Sequence, residues 1–241
     1  NDKSVIAYIK YAQKPAAIVR LKHEHKILSA LPADIGPEIL KFAPLAEGLA
    51  LMTTPVTGKQ LGVDLPPDTQ LERLLTRLSS SQASEIDEHP WVSDLREAHG
   101  SQKKGRETGS DKFNAWLEPF SKERWPVVTQ HGDFTPWNIF KNEQGNLKPI
   151  DWEYGSLRGF PYLDLCHYLF QVGALVKRWT PTKTSNYVVE YLTRGAWPNL
   201  SLAQAESIVN LCAFTVYHQF ARDGVTDANY LQAWRKAIWN R

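Results

Sequence analysis

The sequence predicts an α+β chain in which a small unit of strands and one helix precedes a longer, mostly helical region. Three observations predict it. Up to about residue 60 the chain holds short β-branched and aromatic runs punctuated by proline. From Pro66 onward leucines recur at helical spacing. Within that helical region one island, Val127 to Tyr154, reads strand, polar turn, strand.

Taken in order, Val5 to Tyr11 (VIAYIKY) is β-branched and aromatic with a single Lys10, and reads as a strand. After a turn at Lys14 and Pro15, Ile18, Leu21, Ile27, Leu28 and Leu31 fall near helical spacing, giving a helix of about three turns. Pro32 and Gly36-Pro37 end it. ILKFAPL and EGLALMTTP are two further strands, punctuated at Pro44 and Pro55. DTQLERLLTRLSSSQ sets Leu71, Leu74, Leu75 and Leu78 at i, i+3, i+4 and i+7, with Asp68 able to cap, and opens the helical region. His99 to Ser110 is polar and charged and reads as an exposed loop carrying a solvated basic cluster, Lys103, Lys104 and Arg106. Helices are expected at 111–121, 161–178, 184–194, 202–222 and 227–239. The stripe Ile208, Leu211, Cys212, Thr215, Val216 and Gln219 is the core face of one of them.

Composition narrows the classes. Over 241 residues, 28 Lys+Arg stand against 26 Asp+Glu, a formal charge of +2, and the basic residues are scattered, so the footprint of a nucleic-acid binder is absent. With 42% hydrophobic and 11% aromatic residues, the chain can bury a large core, which excludes overall disorder. No apolar run reaches the roughly 20 residues that span a bilayer, and NDKSVIAYIK is not a signal peptide. Cys166 and Cys212 sit in apolar contexts without CxxC spacing and read as buried, reduced thiols. A cytoplasmic protein without membrane insertion is expected. The chain begins at Asn1, almost at once inside an apolar alternation, and is expected to lack its natural beginning.

The island VVTQHGDFTPWNIFKNEQGNLKPIDWEYG concentrates the polar chemistry. Asp133 and Asn138 lie five apart across a proline-containing loop, and Ile139-Phe140 and Leu147 to Trp152 read as hairpin arms turning through Asn142 to Asn146. Such a hairpin can bring Asn138 and Asp151 to face each other with Asp133 nearby. An amide oxygen and a carboxylate are hard donors suited to Mg²⁺, which takes its remaining ligands from water and phosphate. A second carboxylate, off the metal, can orient a hydroxyl and accept its proton.

H-G-D-F-T-P-W-N followed by I-D-W-E, with Asp151 thirteen residues after Asn138, resembles the motifs of the aminoglycoside phosphotransferase and choline kinase family, relatives of protein kinases. The resemblance implies a two-lobed kinase-like fold, with a nucleotide-binding lobe at 1–56 and a helical lobe with the catalytic hairpin and acceptor site at 57–241. It implies Asp133 as catalytic base, Asn138 and Asp151 as Mg²⁺ ligands, and ATP as phosphoryl donor. Lys10 resembles the strand lysine that grips ATP phosphates and Glu24 its helix partner. LALMTTPVTGKQL resembles the hinge, with Met52, Thr53, Thr54, Pro55 and Val56 beside adenine. Gly159 to Leu165 resembles the element whose aspartate, here Asp164, steadies the catalytic loop. Two positions depart from the family pattern. No glycine-rich loop stands among the nine residues before Lys10, and Phe134-Thr135-Pro136-Trp137 replaces the Leu-His-Pro-Gly of many relatives. Trp137 is expected to line the acceptor pocket.

Other polar and aromatic residues read as structural. His131 packs and hydrogen-bonds to hold its loop. His23 and His25 flank Glu24 two apart, the wrong spacing for zinc on a helix face, and read as solvent-facing. Trp137, Trp152, Trp179, Trp234 and Trp239 are candidate stacking platforms, though most large aromatics are core. The function expected is ATP-dependent phosphorylation of a small-molecule hydroxyl. Few acids lie within 161–241 (Asp164, Glu190, Glu206, Asp223, Asp227), which favours a sugar or glycan-biosynthesis intermediate over an aminoglycoside or choline-type acceptor. The rivals are a non-catalytic nucleotide-binding pseudokinase and a metal hydrolase built on His131, Asp133 and Asp151.

Overall fold

The structure is a computed structural model that describes residues 5–100, 110–194 and 199–240. Its elements run β1 (Tyr8–Ala12), α1 (Pro15–Ala30), β2 (Ile39–Leu45), β3 (Gly48–Thr53), β4 (Lys59–Gln60), α2 (Gln70–Arg77), β5 (Ser79–Glu85), α3 (Pro90–Gly100) and α4 (Ser110–Leu117). There follow β6 (Arg124–Gln130), β7 (Ile139–Lys141), β8 (Leu147–Pro149), β9 (Ser156–Gly159), α5 (Leu163–Gln171), α6 (Pro181–Arg194), α7 (Leu202–Arg222) and α8 (Tyr230–Trp239). By compactness the chain groups into two units, residues 1–62 with 131–157, and residues 63–130 with 158–241.

In the first unit an antiparallel sheet runs in the order β1-β3-β2, with Lys10 opposite Leu51. Helix α1 lays Leu21, Glu24, Ile27 and Leu28 into the core, positions three and four apart as the sequence spacing requires. A second sheet, β4-β7-β8, carries the expected hairpin, with Ile139 opposite Pro149 and Lys141 opposite Leu147. The hairpin's second arm stops at Pro149 rather than running to Trp152, because the chain turns left-handed at Asp151 (φ +66°). Compactness thus draws 131–157 to the amino-terminal residues, whereas the sequence reading placed it within 57–241. Direct ties explain this: His23 Nε2 meets Gly155 O at 2.6 Å, Gln60 Nε2 donates to Trp137 O at 3.1 Å, and Leu61 N donates to Ile139 O at 2.8 Å.

The second unit is helical around α5, every residue of which is buried. Helix α7 packs against α4, α5, α6 and α8. It starts in a capping box, Ser201 Oγ accepting from Gln204 N and Gln204 Oε1 accepting from Ser201 N. Helix α5 runs into a π-helical turn, Val172–Val176, where Lys177 N bonds Val172 O at 2.9 Å. Gly173 within it lies so close to α6 that a Cβ would stand 2.5 Å from Thr184 Cγ2. Phe160 gathers His89, Trp91, Phe120 and Trp125 about its ring at centroid distances of 5.2–5.8 Å, and Phe120 and Trp125 lie 5.1 Å from each other. Cys166 and Cys212 are free and buried. Among the described residues no helix is long and apolar enough to cross a membrane.

The expected helical region breaks at Ser79, where SSSQASE becomes β5 and pairs with β6, Ser84 opposite Trp125 and Glu85 opposite Arg124. Serine has no strong preference for strand, and pairing with β6 overrides local propensity. The cap reading of Asp68 holds through Oδ1, which accepts from Gln70 N at 2.9 Å. The expected basic loop, with Lys103, Lys104 and Arg106, lies outside the described residues. His25 is not solvent-facing, since it stacks on Phe42 at 3.9 Å and 11°. Leu71 is fully buried and Leu202 is 61% exposed. In chemical denaturation Leu71→Ala should therefore lower stability by about 2–5 kcal/mol, and Leu202→Ala by no more than about 0.5 kcal/mol.

Candidate active site

Two polar clusters meet at the base of the β7–β8 hairpin, where Ile150 N donates to Asn138 O at 2.8 Å. The first cluster is Lys10, Glu24 and Asp151. Lys10 projects from β1, and its ammonium lies 2.7 Å from both carboxylate oxygens of Glu24 and 2.6 Å from Asp151 Oδ1. Glu24 sits on the inner face of α1 and is 3% exposed, a burial that a carboxylate sustains only beside a cation. Burial pulls the Lys10 pKa down. The Glu24 charge and the hydrogen bonds to Asp151 and Glu24 outweigh it, so the ammonium titrates above its usual value of 10.5.

The second cluster is Asp133 and Asn138. Asn138 Nδ2 donates to both the backbone O and Oδ2 of Asp133, each at 3.1 Å, which ties the two ends of the loop together. The amide nitrogen being engaged there, Asn138 presents its oxygen as the remaining side-chain acceptor. That oxygen and the carboxylate of Asp151, whose side chain is 39% exposed, are hard donors of the kind Mg²⁺ takes. The donor set fits Mg²⁺ completed by phosphate and water. Among the described residues no three His, Cys, Asp or Glu side chains converge as a cation site.

The loop is held by backbone constraints. His131 is fully buried, its Nε2–H donating to Ile150 O at 2.8 Å while Nδ1 accepts from Asp133 N at 3.3 Å. Its ring lies 4.6 Å from Trp152, also fully buried. With both nitrogens on backbone groups, His131 positions the loop and is not a zinc ligand. Gly132 is left-handed (φ +78°), and a Cβ there would stand 2.2 Å from Tyr154 O, so only glycine permits this approach. Asp151 also has positive φ, a conformation aspartate tolerates better than most residues.

Met52 and Thr53 close the central strand β3, opposite Ile9 and Tyr8 of the lysine-bearing strand. Thr54 follows, its N donating to Glu38 O and its Oγ1 accepting from Glu38 N, both at 2.9 Å. They and Pro55 are half-buried. Trp137 is exposed, Trp152 and Trp234 are core, and Asp164 is buried in the first turn of α5. The sequence reading passed over Glu153. Its carboxyl is raised by burial first and then by the Asp151 charge, against Lys10 and Arg20, which lower it. The acidic residue two after Asp151 in DWE was the available signal. Arg20 in turn lies over the Tyr154 ring at 5.3 Å.

Two measurements check this geometry. Gly132→Ala should destabilise by at least about 1–3 kcal/mol in denaturant unfolding, through the forced positive φ and the contact with Tyr154 O. The raised Lys10 pKa means that its stabilising contribution is fully present below pH 10.5 and is lost as pH rises through the higher folded value. Thermal melting against pH should show an alkaline loss of stability that Lys10→Met lacks.

No protein-family model and no curated protein sequence matches the chain. Solved structures do. Choline kinase LicA from Streptococcus pneumoniae aligns over 97% of this chain and 84% of its own at 14% identity, with a TM-score of 0.55. Macrolide 2'-phosphotransferase MphH from Brachybacterium faecium aligns over 97% and 84% at 17% identity, with a TM-score of 0.53. The chain therefore has the α+β, protein-kinase-like fold of these two phosphotransferases.

Proposed function

We propose that this protein is an ATP-dependent phosphotransferase that phosphorylates a hydroxyl of a small molecule. The carrying observation is the pair of clusters: a strand lysine clamped by a buried helix glutamate, and an aspartate and asparagine tied across one loop, on a fold shared with two phosphotransferases. Lys10, held by Glu24, would meet the donor phosphates. Asp133 would orient the acceptor hydroxyl and take its proton, while Asn138 keeps the aspartate's loop closed. Bound at Asn138 and Asp151, Mg²⁺ would supply charge neutralisation on the phosphates. Met52 to Pro55 would flank the adenine, and Asp164 would steady the loop. By role, 1–56 would be the nucleotide lobe and 57–241 the lobe of the hairpin and acceptor site, a division that differs from the two compact units.

For the acceptor, the scarcity of acids over 161–241 supports a sugar or glycan-biosynthesis intermediate. A specific observation favours a second reading, a cationic acceptor of the choline or aminoglycoside kind. Within the second unit, acids from ahead of that stretch approach its tyrosines. Glu72 accepts from Tyr191 Oη at 2.7 Å, and Asp68 and Asp64, after burial, push the Tyr168 phenol up. Trp179 already carries a cation on its face, the Lys183 ammonium at 4.6 Å.

The test is incubation with labelled ATP, Mg²⁺ and a panel of sugars, aminoglycosides, choline-like alcohols and nucleosides. A phosphorylated product from one class is expected, with Asp133→Ala lowering kcat about 10²–10⁴-fold while nucleotide binding persists. Normal turnover by that variant would remove Asp133 from the role of base. Nucleotide binding without transfer to any acceptor would support the pseudokinase reading instead.

A further inference from the structure

The ammonium of Lys10 occupies a cradle of three carboxylate oxygens, two from Glu24 at 2.7 Å and one from Asp151 at 2.6 Å. An ammonium has three donors, so these three acceptors satisfy it. Hard oxygens converging on one point are also what a divalent cation seeks, at about 2.0–2.6 Å. The two Lys10 partners differ. Glu24 is buried on α1 and holds the ammonium through two oxygens, whereas the Asp151 side chain is 39% exposed and contributes one. The contact to Asp151 is thus the one that can be given up while the contact to Glu24 is kept.

We propose that Lys10 is a tethered counter-ion that competes with a divalent cation for Asp151, so that the cation is held there only once nucleotide phosphates have drawn the ammonium away. Like charges exclude each other at this range, and a dication beside the ammonium is strongly disfavoured. A polyphosphate offers Lys10 new acceptors and supplies the cation with further oxygens. Loading is therefore ordered, with nucleotide ahead of metal. The inference rests on the reading of Lys10 as the phosphate-meeting residue of a phosphotransferase.

The experiment measures Mn²⁺ binding without nucleotide, by the loss of the free-ion EPR signal, and needs no turnover. Lys10→Met should bind Mn²⁺ at least about tenfold more tightly than the unmodified protein, and adding Asp151→Asn should cancel the gain. Because Lys10→Met leaves Glu24 buried and uncompensated, Lys10→Met/Glu24→Gln is measured in parallel, with thermal melting to establish folding. It should keep part of the gain. Equal Mn²⁺ affinity in the unmodified protein and a folded variant overturns the proposal, as does a gain that survives Asp151→Asn. Should the acceptor panel yield no product while the Mn²⁺ gain appears, the phosphotransferase reading fails and the competition at Asp151 stands.

Discussion

A carboxylate on the inner face of a helix is unstable without a cation, and Glu24 on α1 is such a group. The Lys10 ammonium answers it from β1 and, through its remaining donor, reaches Asp151 beyond the hairpin. One positive charge thereby joins a strand, a helix and a loop separated by up to 141 residues in sequence. Removing Lys10 would leave the buried Glu24 carboxylate uncompensated, which costs more than the pair itself contributes. The packing of the first unit is built to keep that charge company: α1 must present Glu24, β1 must present Lys10, and the segment after β8 must end beside both.

The loop that carries Asp133 and Asn138 depends on a different kind of constraint. Its shape is set by side chains fastened to backbone groups and by one close backbone approach. Gly132 passes against Tyr154 O, His131 bridges the amide of Asp133 and the carbonyl of Ile150, and Asn138 closes the loop onto Asp133. These contacts are directional and centre on the buried His131 and Asn138, so they fix the positions of Asp133 and Asn138 before any ligand arrives. Pre-organisation of this sort suits phosphoryl transfer, where positioning and charge placement carry most of the catalysis.

Much of this was legible in the residues. The spacing of Leu71, Leu74 and Leu75 and of Leu21, Ile27 and Leu28 marks faces that are indeed buried, and the turn residues Asn142 to Asn146 mark the hairpin. The pairing of Lys10 with Glu24 was implied by the family resemblance, and the ammonium does lie 2.7 Å from both Glu24 oxygens. What was not legible depends on the partner rather than the segment. The serines of β5 carry no strand signal of their own and take their conformation from β6. The contact of Lys10 with Asp151, the approach of Gly132 to Tyr154 and the environment of Glu153 are long-range facts that no local periodicity encodes. The acidic company of Tyr168 and Tyr191 was hidden because it comes from residues 64–72, outside the stretch whose charges were weighed.

The π-helical turn that ends α5 bears on how this chain tolerates changes of length. A π-turn accommodates one residue more than an α-turn, so Val172–Val176 stores a single-residue surplus at the end of the helix. Deleting one residue there would let the backbone revert to α-helical bonding. The span from Gly173 to Trp179 would then be one residue shorter. Trp179, whose amide is fastened to Gly173 O at 2.8 Å, would lose that anchor, and the fit of Gly173 against Thr184 would be undone. Loops elsewhere can absorb an insertion or deletion without moving a helix, but at this turn the chain's length is locked to the placement of Trp179 and the start of α6.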